Sequence, residues 1–438
     1  MRTVGVVVSA LLFCAPPVSA QQIVPKGYVS LFGDYFPNKS DALELRARAF
    51  AEQTFEPAPP VVIKLSGFAE GLLARRPQPS RSGSLQGVSG GIVRLHDANV
   101  TFSRQRFDLL AGYGRVTWGK LDEIQPTDVV NPLDVSRFFF EGRSEARLST
   151  VIARARLHAG ENVTIEGVYV PDYRRGRFDQ LDEPTSPFNL PVDAANDQVV
   201  CLAIGCPVVR PATIDDREPR FTLANAQGGG RVSVTTKRVD WSVSAYRGFE
   251  SFGLYQVEAA AGVALSSPTI ALEYPRFTMI GGDFEAVRGE WGLRGEVAAF
   301  VDDSIQSPEL RIVPGSSIDA GVGVDRRAGD YTVSATVLFH SESYEAPLSA
   351  ESADDGRHDV SIVGSADRTF AREKYRLRAF AVYNATEASG FLRGIGMWSL
   401  RDNLGLEGSL GWFAGDGRDL IGRFGDSDFA YVRLKYYF

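Results

Sequence analysis

The chain has 438 residues, 47 of them Lys or Arg and 54 Asp or Glu, giving a formal net charge of −7. That acidic balance argues against nucleic acid as a partner. Charged residues at 23%, beside 44 glycines and 11% aromatics, fit a sheet protein, either soluble and secreted or a barrel whose strands turn half their residues to a polar lumen.

Residues 1–20 read as a secretory signal peptide. Arg2 precedes an apolar run from Val4 to Ala15, and Val18, Ser19 and Ala20 form a small-residue exit. Bulky Phe13 next to Cys14 argues against a lipoprotein site. Beyond Ala20 no segment approaches the roughly 18 consecutive apolar residues of a membrane-spanning helix. Residues 21–61 are expected to be a separate N-terminal segment, periplasmic or tucked into a lumen. In it KSDALELRARAFAEQ reads as a short helix capped by Ser40, ended by EPAPP.

From Val62 to Phe438 about sixteen segments alternate apolar and polar residues, most of them longer than the roughly ten residues a tilted strand needs to cross an outer membrane. They lie near 62–74, 90–104, 106–118, 149–159, 162–172, 219–236, 238–250 and 275–287. The rest lie near 290–302, 316–327, 330–341, 357–368, 373–384, 389–401, 404–414 and 428–438. Short turns such as HAGEN, VRGEWG and RRAGD alternate with long links at 119–148, 173–218, 251–274, 303–315, 342–356 and 415–427. Short periplasmic turns and long extracellular loops are the mark of a transmembrane barrel. The predicted fold is therefore all-β: an antiparallel up-and-down transmembrane β-barrel of about sixteen strands over 62–438, in the outer membrane.

Aromatic placement supports this independently. Trp241 and Phe249, Tyr331 and Phe339, and Tyr375 and Tyr383 each bracket an apolar stripe, eight residues apart. Eight residues rise about 26 Å along a strand, or roughly 20 Å after tilt, which is close to an apolar band flanked by aromatic girdles. The closing FAYVRLKYYF alternates in the same way, and its terminal Phe438 resembles the C-terminal signature of bacterial outer-membrane proteins. That resemblance implies recognition by the barrel-assembly machinery, with outer-membrane lipid and lipopolysaccharide as surroundings.

Inward parity gives the expected pore lining. The basic members are Arg154, Arg156, Arg376, Arg378, Arg393, Arg433 and Lys435, with Lys64 beyond the closure; Arg294 adjoins the acidic set Asp283, Glu285, Glu296, Asp319 and Asp325. Such walls either orient a polar solute through a focused field or pair across neighbouring strands and stiffen the wall. One stretch, residues 115–148, is not explained by barrel patterning. It carries Trp118, Asp122, Asp128, Asn131 and Asp134, then the apolar RFFFEGR with Arg137 and Arg143. It is expected to fold back into the mouth, either as an inner loop held by Asp122 and Asp128 to wall arginines or as a constriction touching solute.

The WGK-x-D…TDVVNPLD pattern of that stretch resembles a broad group of poorly characterised Gram-negative outer-membrane porin-like proteins. YPRFTMIGGDFEAVRGEWGLRGEVA, residues 274–298, resembles the group's second recurrent stretch. The resemblance implies a channel for small, often rather hydrophobic molecules, with some members accompanying efflux systems.

Cys201 and Cys206, four residues apart, are expected to form a small disulfide loop in an oxidising compartment. No cofactor and no metal-type Cys/His spacing accompanies them. Of the four histidines, His340 and His358 fall near one rim with Asp354, Asp355 and Asp359. No G-x-S-x-G elbow precedes a helix, so no catalytic residues are assigned and the chain is not read as an enzyme. The expected function is passive diffusion of small solutes through a charged, loop-constricted pore. The alternative is a plugged or non-channel barrel: an adhesin, a scaffold or an efflux accessory protein.

Overall fold

The computed structural model describes residues 26–78, 81–177, 213–258, 269–307, 310–345, 356–417 and 419–438. Among them eighteen antiparallel strands close into one barrel. The chain begins with β1 (Lys26–Phe36), β2 (Ala42–Ala58), β3 (Val61–Gln78), β4 (Arg81–Arg104), β5 (Phe107–Gly114), β6 (Thr150–His158) and β7 (Val163–Val170). After β8 (Thr213–Asp216) come β9 (Gln227–Thr235), β10 (Val239–Phe249), β11 (Leu254–Glu258), β12 (Thr269–Glu273), β13 (Arg276–Arg288) and β14 (Trp291–Gln306). The remaining strands are β15 (Ile312–Ala328), β16 (Tyr331–Tyr344), β17 (Gly356–Phe370), β18 (Tyr375–Asn384), β19 (Ser389–Arg401), β20 (Leu404–Ala414) and β21 (Phe429–Tyr437). Strands β8, β11 and β12 stand outside the barrel as a small separate sheet.

The ring closes where β1 pairs with β21, from Tyr28 opposite Tyr437 to Tyr35 opposite Ala430. Gly27 and Phe438 exchange both backbone hydrogen bonds at 3.1 Å. Period-two alternation sets the wall: on β1, Val29, Leu31 and Tyr35 face outward and exposed, while Phe32, Asp34 and Phe36 are buried inside. Trp241, Tyr331, Phe339 and Tyr383 also face outward. Arg247 stands in the outward stripe of β10, donating to Thr278 Oγ1 at 2.8 Å.

Each of the sixteen expected segments overlaps a barrel strand, but the N-terminal expectation is overturned. Residues 26–58 form β1 and β2, in register from Lys26 opposite Glu52 to Phe36 opposite Ala42. Ala, Leu, Glu and Arg are strong helix formers, and that preference suggested a helix. Pairing with two neighbouring strands outweighs it, placing Glu44, Arg46 and Arg48 inward and Leu43 and Leu45 outward. The barrel therefore has eighteen strands rather than sixteen. The segment expected over 106–118 stops at Gly114, and that over 219–236 begins at Gln227 behind a 3₁₀ turn, Leu223–Asn225. The expected signal peptide, Cys201 and Cys206 lie outside the described residues.

Two-residue connections at 59–60, 105–106, 289–290, 329–330 and 402–403 share one end of the barrel. The long connections at 115–149, 171–226, 250–275, 345–355 and 415–428 share the other, together with short hairpins at 37–41 and 385–388.

Candidate functional site

A wall of eighteen strands is too wide for its own side chains to fill. Among the described residues, the connection that reaches the wall most widely is 115–149 between β5 and β6, which turns inward instead of standing clear of the rim.

Asn131 ties the neck of this loop. Its Oδ1 accepts from Val116 N at 2.7 Å, and its Nδ2 donates to Leu148 O at 2.9 Å and Gly114 O at 3.3 Å. Asp128 braces the loop from within, accepting from Trp118 N at 3.3 Å, from Arg143 Nε at 3.1 Å and from Arg147. The expectation that Asp128 reaches a wall arginine is thus corrected: the nearer guanidinium groups are those of its own loop. Trp118 is only 1% exposed; its Nε1 donates to Glu166 at 2.7 Å and its ring meets Tyr246 edge-on at 6.0 Å.

The main wall anchor is Glu296 on β14. This buried carboxylate accepts from the backbone N–H of Lys120, of Leu121 at 2.5 Å and of Thr127 at 3.3 Å, and from Thr127 Oγ1 at 3.0 Å. Two residues away on the same strand, Arg294 holds Asp122 at 2.8 Å while pairing with Glu285 at 2.9 Å and Asp325 at 3.0 Å. Such a close approach requires Gly119. It sits at φ +89°, and a Cβ there would stand 2.6 Å from Glu296 Oε1. Gly119→Ala combines a left-handed backbone, which costs a non-glycine residue about 1–2 kcal/mol, with that clash. It is expected to lower the denaturant midpoint of the purified barrel while leaving its sheet content unchanged by circular dichroism.

The far side of the loop is helical: α1 (Val135–Glu141), then α2 (Arg143–Ala146). Phe139 lodges among Phe391, Phe413 and Phe424 at ring distances of 5.3, 5.0 and 5.0 Å, and Phe140 against Phe429 at 4.8 Å. Arg393 of β19 donates to Phe140 O at 2.8 Å. Beneath the helix lies a buried ionic cluster. Arg48 bridges Glu70 at 2.5 Å and Glu141 at 2.6 Å. Arg137 stacks 4.2 Å over Phe68 and lies 3.8 Å from both Glu70 and Asp134. Asp134 also meets Arg94 at 3.2 Å, and Arg433 meets Glu407 at 2.6 Å and Glu141 at 3.8 Å. Arg48, Glu70 and Glu141 were missed in the sequence, although the ELRAR alternation in β2 carried the signal.

The other expected wall charges are mostly paired. Arg154 and Arg156 turn to Glu166, Asp283 to Arg231 at 2.8 Å, and Asp319 to His340 at 2.6 Å. Arg376 meets Asp367 at 2.7 Å, and Arg378 reaches Glu123 of the loop at 2.6 Å. Lys64 pairs with Glu52 at 3.0 Å, and Lys435 stands 3.8 Å over the Tyr28 ring. His340 also meets Glu342 at 3.0 Å, and His358 meets Ser341 Oγ at 2.9 Å. Asp354 and Asp355 lie outside the described residues. Above the loop, toward the long connections, a cavity of about 1110 Å³ is bordered by Gln125, Leu338, His340, Glu342, Asp359 and Arg423.

Among solved structures, the chain is similar in fold to Pseudomonas aeruginosa OccK7 (OpdD). The TM-score is 0.51 at 8% sequence identity, covering 94% of this chain and 97% of that one. OmpT folded in vitro, an outer membrane protein of Vibrio cholerae, aligns with TM-score 0.44 at 8% identity, covering 95% and 97%. A mutant of the Rh. blastica porin aligns with TM-score 0.40 at 11% identity, covering 95% and 100%. No family model and no curated protein matches the chain. The closed barrel and its outward apolar band place the protein in the outer membrane.

Proposed function

We propose that this protein is an outer-membrane channel for passive diffusion of small solutes, narrowed by the 115–149 loop folded into its lumen. The observation that carries this reading is the grip of Glu296 on that loop, below a cavity of about 1110 Å³. A barrel built only as a scaffold has no use for an inward loop beside a roomy vestibule. The pore-lining charges act largely as pairs, so a passing solute meets alternating dipoles rather than one-sided walls. The porin-like resemblance of the WGK-x-D…TDVVNPLD block agrees with this reading, because that block meets the 274–298 stretch at Glu296 and Arg294. No catalytic step is assigned to it.

Planar-bilayer recording of the purified, refolded protein tests the proposal, and stable current steps are the expected result. A second reading, a plugged barrel, draws on the loop's contacts with β2, β3, β4, β14, β18, β19 and β21 around the lumen. Silence from protein shown to be folded would establish that reading instead.

Glu250, just beyond β10 at the long-loop end, is expected to give the channel a pH dependence. Burial, reinforced by Asp303 and Asp319, pushes its carboxyl up to about 8. Its contribution to stability is full below the ordinary carboxylate range and is lost as pH rises from there to about 8. Over the same rise the mouth gains a negative charge. Cation selectivity, read from reversal potentials in a salt gradient, is therefore expected to increase between about pH 6 and about pH 10. Glu250→Gln should flatten that titration; an unchanged titration in the variant would assign it to another group.

A further inference from the structure

The outward face of the barrel carries a hollow. Strand register sets Ala366, Ala379 and Gly394 side by side on β17, β18 and β19. The adjoining row runs Leu377, Gly396, Gly408, Val432 and Gly33 from β18 round to β1. Together these rows leave a groove of about 980 Å³ with an almost wholly apolar lining.

The four glycines are not there for the backbone or for packing. None of them has a left-handed φ. A Cβ at Gly33 or Gly394 would meet nothing within 4 Å, at Gly396 only Leu377 at 3.7 Å, and at Gly408 only Tyr431 O at 3.9 Å. Glycine inside a strand weakens it and often marks a place where something approaches closely. What these four supply is space, in the band that faces acyl chains.

At the short-turn end the groove is bounded by Tyr331 and Arg368. The Arg368 guanidinium stands 4.6 Å over the Tyr331 ring and 5.7 Å from Phe370. Among the described residues no carboxylate pairs with it, and it is exposed. An arginine backed by aromatic rings is positioned to take a phosphate, which it binds through paired N–H groups. The same girdle carries Lys374 over Tyr375 at 5.8 Å, whereas Arg326, over Trp291 at 5.1 Å, pairs with Glu290 at 3.2 Å; Arg368 and Lys374 thus present cations at headgroup depth.

We infer that the groove binds one glycerophospholipid of the periplasmic leaflet, its phosphate on Arg368 and an acyl chain along Gly33, Gly394, Gly396 and Gly408. A second copy of the chain fits less well, since the exposed carboxylate its girdle offers at this depth, Glu290, is already held by Arg326 at 3.2 Å, which would leave a covered Arg368 without a free counter-charge. The lipid supplies both the chain and the anion.

Native mass spectrometry of the full protein, extracted from outer membranes in mild detergent, tests this. The wild type is expected to retain one phospholipid mass, and delipidated protein to regain it from detergent micelles doped with phosphatidylglycerol or phosphatidylethanolamine. Gly394→Leu, which fills the groove without a backbone clash, is expected to lose that mass, and Arg368→Ala to lose it at lower collision energy. Gly33→Leu fills the groove from the other wall and serves if Gly394→Leu does not fold. Wild type without lipid overturns the proposal, as does unchanged retention in a folded groove-filling variant. Retention unchanged in Arg368→Ala overturns the headgroup assignment. Loss of an oligomer on filling the groove, with no lipid in the wild type, would assign the groove to self-association instead.

Discussion

Glu296→Ala is expected to raise the single-channel conductance and to make the current noisier, because it removes the main hold of the β14 wall on the 115–149 loop and leaves only the Arg294–Asp122 pair there. The carboxylate collects three backbone N–H groups and one hydroxyl from the loop. Each buried donor left without an acceptor costs about 1–3 kcal/mol, and water entering from the vestibule recovers part of that. The barrel ladder does not pass through this side chain, so the wall persists and the loop alone loosens. Glu296→Gln keeps one carbonyl acceptor and should fall between wild type and alanine. Current recordings at fixed salt, paired with protease accessibility of the loop, read the outcome. Wild-type conductance together with wild-type protection would show that the loop is held elsewhere.

Arg48→Met is expected to have the largest effect on stability. Arg48 is buried between Glu70 and Glu141, and removing one partner from such a cluster costs about 3–5 kcal/mol. Arg137 is then left with both carboxylates at 3.8 and 3.9 Å, helped at Glu141 only by Arg433 at 3.8 Å. Burial by itself would raise the Glu141 carboxyl, but Arg48, Arg137 and Arg433 outweigh it and hold the group well below the usual carboxylate range. A depressed acid contributes stability that is present above its unfolded pKa and lost as pH falls through the folded one. The difference in urea midpoint between wild type and Arg48→Met should therefore be widest near neutral pH and narrow in acid. Adding Glu141→Leu should recover part of the loss, because it removes the stranded charge. A constant difference across pH would show that packing, not charge, is what Arg48 supplies.

Much of this was legible in the sequence, and the failures have a physical pattern. Segments such as 330–341 and 373–384 could be read because lipid and lumen impose opposite demands on alternate residues. The hairpin of β1 and β2 could not. Phe32 and Phe36 are apolar yet point inward, blurring the period of β1, and ALELRARA spells a helix by propensity although its alternation is intact. The inward course of 115–148 was legible from RFFFEGR, whose three phenylalanines have no place in a solvated loop. Its partners were less so: Asp122 does find wall Arg294, whereas Asp128 turns to Arg143 and Arg147. Which arginine a carboxylate selects is settled by how the loop folds on itself, and no spacing records that. Glu296 was expected to line a pore; its role as the loop's acceptor needs Gly119 and Thr127 brought close by the fold.

The seam between β1 and β21 sets a condition on the whole wall. Every other pairing joins one barrel strand to the next barrel strand along the chain, with β8, β11 and β12 lying within two of the links, so a connecting segment brings them together. This one joins the two extremes of the described chain, and such a non-local contact forms slowly. Until it forms, the sheet carries two unsatisfied edges, each a template for a foreign strand. Parity sharpens the point. Without β21, the strand meeting β1 would be β20, which runs parallel to it and cannot continue the antiparallel ladder. A chain shortened by its final strand would therefore not make a slightly narrower pore. It would remain an open, adhesive sheet.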